Sequence, residues 1–156
     1  MSNSERQWLD SVPWESVLTL NKTLCQAQKI EPLQNPKGYE PAQRLWLASD
    51  SKRLTLRAVL QVFHDVCALP PFTFNNGNTF AAISRTLLDE HFKSIPPVEA
   101  QILRTTVCHY VVGQIGSKEL QQVLRHFEAV LKTSGPGSVA SEARVPQVAA
   151  VAGQRA

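Results

Sequence analysis

Between Ser117 and Lys132 the apolar residues Leu120, Val123, Leu124, Phe127, Val130 and Leu131 recur at steps of three and four. That spacing draws one apolar stripe along an α-helix, with Lys118, Gln121, Gln122, Arg125 and Glu128 mostly facing away. Ser117 is placed to cap it, and Lys132 falls in the last turn, where a cation suits the helix dipole. The stripe needs other helices to cover it, and the rest of the chain supplies them.

Pro96-Pro97 opens the preceding segment, with Val98, Ile102, Leu103, Val107, Val111 and Ile115 as a broad apolar face and Gly113 and Gly116 ending it. Thr79 or Asn78 can cap a helix running to about Phe92. Leu54 to Leu69 is the most apolar run; its β-branched residues suit a strand, but its length favours a central helix stopped by Pro70 and Pro71. Toward the N-terminus Pro13 opens a helix bearing Trp14, Val17, Leu18, Leu24 and Cys25, with Ser11 as its cap. A short helix is expected around Glu5 to Asp10, presenting Trp8. Glu31 to Pro41, with three prolines and Gly38, reads as a loop, and Ala42 to Ala48 as a brief helix whose end, Ser49-Asp50-Ser51, can cap the next.

From Thr133 the character changes. Ser134-Gly135-Pro136-Gly137-Ser138 reads as a linker, and no large side chain follows it, so little apolar area offsets the entropy of ordering. The expectation is an all-α fold, an irregular orthogonal array of about five main helices and one or two short ones over residues 1–132. A disordered C-terminal tail is expected over 133–156.

The net charge of +3 is too small for a dedicated nucleic-acid binder. Three cysteines, Cys25, Cys67 and Cys108, sit among apolar residues, and the polar N-terminus has no secretory character; both point to a reduced, cytoplasmic setting. The longest charge-free run in the folded body, between Asp65 and Arg85, contains prolines and asparagines that rule it out as a membrane span.

Chemistry is sparse. His64 and Cys67 share a helical face and Cys108-His109 could add two ligands, but neighbours on a helix diverge by about 100°. No metal and no cofactor is expected. Asp89-Glu90-His91 is the densest ionisable cluster, on an amphipathic helix where it reads as a solvated face, and no nucleophile motif or phosphate-cradling glycine loop occurs, so catalysis is not the leading reading.

The leading expectation is a non-catalytic protein–protein interaction or adaptor module, with Phe72, Phe74 and Trp46 as partner-binding residues. Phe72 and Phe74 lie in a loop stiffened by Pro70 and Pro71 and turned by Asn76-Gly77; Phe72 is expected to plug the core and Phe74 to face a partner. The alternative is a weak nucleic-acid-binding helical domain using Arg44, Lys52, Arg53 and Arg57, the last two placed on one helical face by their spacing.

Overall fold

Six α-helices form the regular structure in this computed structural model, which describes residues 4–91 and 93–133. They are α1 (Trp14–Ala27), α2 (Tyr39–Ser49), α3 (Leu56–Ala68), α4 (Asn76–His91), α5 (Pro97–Val111) and α6 (Ser117–Thr133). The fold is all-α, and no strand occurs among the described residues, only two isolated antiparallel bridges, Arg6 with Leu54 and Gln34 with Phe72. None of the described helices is long and apolar enough to cross a membrane. The expected tail, apart from its first residue, lies outside the described residues.

α3 occupies the centre because it is apolar around most of its circumference: Leu56, Val59, Leu60, Val62, Phe63 and Val66 are all buried. It packs against α2, α4 and α5, while α4 also meets α1 and α5, and α6 lies on α5. Inside this array sits an aromatic cluster. Trp46 is flanked by Trp14, Phe63 and Phe80 at ring-centroid distances of 5.9, 5.8 and 6.0 Å, and Trp14 stacks on Phe72 at 6.3 Å. Such pairs add to the burial of the rings themselves.

Several local expectations are corrected. Glu5 to Asp10 is not helical. The Arg6 amide donates to Leu54 O at 3.0 Å and the Leu54 amide donates back at 2.8 Å, and the chain then turns so that the buried Trp8 indole also donates to Leu54 O. A helix that short has too few internal hydrogen bonds to compete with this pairing.

α2 begins at Tyr39, three residues ahead of the expected start, because Pro41 falls in its first turn, where a missing amide hydrogen costs nothing. Ser49-Asp50-Ser51 does not cap α3. Thr55 does, its hydroxyl accepting from the Ala58 amide at 3.1 Å. Neither Ser11 nor Pro13 gives α1 a side-chain cap, and Pro13 holds the cap position.

On α5 the buried residues are Leu103, Val107, Tyr110 and Val111, whereas Val98 and Ile102 are exposed. Gly113, at φ 84°, ends this helix as expected, in the left-handed conformation that glycine adopts without strain. Ser117 is the first residue of α6, not its cap. Glu119 reaches back to accept from the Gly116 amide at 3.0 Å, one half of a capping box.

Candidate functional site

Residues 69–75 and 33–38 run side by side, and together they hold the loop that carries Phe72 and Phe74. The Thr73 amide donates to Leu33 O and the Asn35 amide to Pro71 O, both at 2.9 Å, which leaves the Phe72 amide and carbonyl pointing away from that ladder. The Asn76 side chain takes both: its Oδ1 accepts from the Phe72 amide at 2.9 Å and its Nδ2 donates to Phe72 O at 2.7 Å. From the other side the buried Asn21 of α1 donates to Phe74 O at 2.7 Å and to the Thr79 hydroxyl at 3.2 Å.

The bend itself is made by Asn75, at φ 64°, and not by Asn76-Gly77, which are the first two residues of α4. Asparagine tolerates that conformation because its short amide finds local partners. Here it exchanges two hydrogen bonds with Gln28, at 3.2 and 3.1 Å, and accepts from Asn78 at 2.8 Å. Neither Asn78 nor Thr79 caps α4; both lie in its first turn, and Thr79 Oγ1 donates back to Asn75 O at 2.6 Å.

The result is a clamped backbone with two unlike aromatic side chains. Phe72 is 4% exposed and stacked on Trp14, whereas Phe74 is 42% exposed. Leu33, one residue away across the pairing, and Leu69, at the loop's entry, are also exposed. Leu33 carried no signal of its own in the sequence. Its place opposite Thr73 is set by a pairing between residues about forty positions apart. Trp46 is fully buried, its indole N–H donating to Val12 O at 3.0 Å, so it has no surface to offer a partner.

The four basic residues of the alternative reading are exposed but not arranged as expected. Arg53 lies outside α3, in the link before it, and so shares no helical face with Arg57. Its guanidinium donates to Glu5 O at 2.7 Å and ties the N-terminal segment down. Arg57, on α3, acts instead toward α5, where its charge partly opposes the effect of Asp65 on Tyr110.

His64, Cys67, Cys108 and His109 are not gathered either. His64 Nδ1 lies 2.8 Å from Tyr110 O, a bond made by the Nδ1–H tautomer, and its ring stacks on Tyr110 at 4.8 Å. Cys108 Sγ faces Ala81 O on α4 at 3.9 Å. Among the described residues no group of three or more His, Cys, Asp or Glu side chains is placed to share a metal ion. Of the acidic cluster, Asp89 pairs with Arg104 across to α5 at 2.9 Å, and Glu90 meets Lys93 at 3.3 Å in full solvent.

Burial pushes the Cys67 thiol above its ordinary 9.0 and the Cys108 thiol likewise, the latter partly offset by Arg85. Burial, with a smaller contribution from Asp65, raises the Tyr110 phenol above 10.0; its O–H donates to Gln61 Oε1 at 2.6 Å. In each case the folded chain holds its proton more tightly than the unfolded chain. The stabilisation is therefore complete below the unfolded values and is lost as pH climbs through the folded ones. Urea midpoints are expected to be level to pH ~8 and to fall by pH ~10.5, and Cys67→Ala should flatten part of that fall. Equal midpoints at both pH values would show that these groups are no more protonated folded than unfolded.

Compared with protein-family models, curated proteins and solved structures, the chain matches none.

Proposed function

We propose that this domain is a non-catalytic protein-interaction module whose anchor is Phe74. The observation that carries the reading is the pairing of a half-exposed phenylalanine with a backbone fixed on three sides, by Leu33, Asn21 and Asn76. A large apolar ring held in water on a rigid loop loses little conformational freedom on binding, which is how interface anchors gain their affinity. Leu33 and Leu69, on the two paired segments, are exposed as well, so the partner this loop suits is a protein presenting an apolar recess or segment. The nucleic-acid reading draws no support from the placement of Arg44, Lys52, Arg53 and Arg57.

The test separates the two phenylalanines. Phe72→Ala should cost about 3–5 kcal/mol of folding stability, because it removes a packed core ring. Phe74→Ala should shift stability by less than about 1 kcal/mol, yet reduce retention of a co-purifying protein partner by tenfold or more. Urea midpoints and quantitative pull-downs read the two effects. Unchanged partner retention in folded Phe74→Ala would remove Phe74 from the interface.

A further inference from the structure

On α4, Ala81, Arg85 and Asp89 follow one another at four-residue steps; on α5, Gln101, Arg104, Thr105, Cys108 and His109 do so at steps of three, one, three and one. Each set forms a stripe on one helical face. Because α4 and α5 pack together, the stripes meet, and Arg85, Gln101, Arg104, Thr105, Cys108 and His109 line a groove of about 250 Å³. We propose that this groove binds a phosphate group, as the free ion or as a small organic phosphate monoester, between the guanidinium groups of Arg85 and Arg104.

The donors in the groove are only partly used. Arg85 is exposed and makes no hydrogen bond or ion pair with any described residue. Its charge reaches the Cys108 thiol on the opposite helix, which places the guanidinium field across the groove. Arg104 is held in position by two neighbours: Nη1 donates to Asp89 Oδ1 at 2.9 Å and Nη2 to Gln101 Oε1 at 3.2 Å. A guanidinium carries five N–H groups, so further donors remain. Thr105 Oγ1 accepts from Gln101 Nε2 at 3.3 Å, which leaves its own O–H free to donate.

Planar, forked guanidinium groups match the several oxygens of a phosphate better than they match a single spherical halide ion. Asp89 offsets one of the two arginine charges, so a single uncompensated cation faces the ligand, and binding will be modest. The groove is also smaller than the ~300–1,000 Å³ usual for drug-sized ligands, which fits a phosphate with little attached.

The experiment is an amide-resolved NMR titration of the ¹⁵N-labelled full chain at constant ionic strength, with inorganic phosphate and with phenyl phosphate as probes. Saturable shifts are expected, centred on 81–89 and 101–109. Arg85→Gln and Arg104→Gln should each raise Kd by about tenfold or more, the usual loss for a charge-assisted hydrogen bond. Arg125→Gln, on the exposed face of α6, should leave Kd within about twofold. Tighter binding of phenyl phosphate would identify an organic monoester as the ligand, and equal binding the free ion.

Three results would overturn the proposal: shifts that rise without saturating, shifts that chloride reproduces, or wild-type affinity in folded Arg85→Gln and Arg104→Gln. Because Arg104 also bonds Asp89, Arg85→Lys serves as a second variant that leaves that contact intact. It should weaken binding while keeping the dispersed spectrum, and wild-type affinity in it would likewise count against the fork geometry.

Discussion

Replacing Gly38 with alanine is expected to destabilise the domain by about 3 kcal/mol or more, out of proportion to a single methyl group. The backbone there is unremarkable, at φ −97° and ψ −22°, so alanine would meet no conformational strain. The obstacle is steric. A methyl built on Gly38 lands on the carbonyl oxygen of Pro70, 2.5 Å from that of Leu69 and 2.7 Å from the Pro70 carbonyl carbon. Backbone atoms cannot rotate aside as a side chain would, so the segment 33–38 must separate from 69–75, and with it the pairing that fixes Phe72. Gly77→Ala is the contrast. Its methyl meets the side chain of Val112, with Cγ1 nearest at 3.1 Å, and alanine's better helix propensity offsets the squeeze, so the net change should stay within about 1 kcal/mol. Thermal or urea denaturation of the two variants reads both, and a Gly38→Ala protein as stable as wild type would refute the close approach.

Trp46→Ala should cost about 3–5 kcal/mol, since it empties the centre of the aromatic cluster. Three rings lose a neighbour at once, and Val12 O loses the indole donor. Trp46→Phe keeps a ring in the cluster and loses mainly that hydrogen bond and some volume, so its cost should be clearly smaller. Urea midpoints with intrinsic fluorescence of the remaining tryptophans would order the series. If Trp46→Ala lost partner binding without losing stability, the residue would belong to an interface after all.

Helices whose identity rests on local periodicity were legible in the sequence: the stripe of α6, the nearly all-apolar α3 and the Pro-led α5. What periodicity left open was which apolar residues face inward. Val98 and Ile102 look like core residues of α5 on spacing alone, yet α4 and α3 cover the neighbouring face instead. Pro41 reads as a breaker until one sees that it sits in a first turn, where proline is harmless. The unlike burial of Phe72 and Phe74 could be anticipated from their loop, although the asparagine side chains that hold that loop could not. Leu33 opposite Thr73, and Arg85 and Arg104 along one groove, depend on which distant segments meet, and a single sequence carries no direct signal of that.

The ties that hold the Phe74 loop also set how the chain reaches its native state. Asn21 with Phe74 and Gln28 with Asn75 join residues 53 and 47 positions apart, and Trp8 with Leu54 spans 46. Helical proteins fold fast when their contacts are local, but these contacts form only after long stretches of chain have closed on themselves. The surface around Phe74 is therefore a product of the tertiary structure and not of any one helix or local segment. A peptide copied from 69–80 would carry the same side chains but not their arrangement, and in a competition assay it should fail to displace the intact domain.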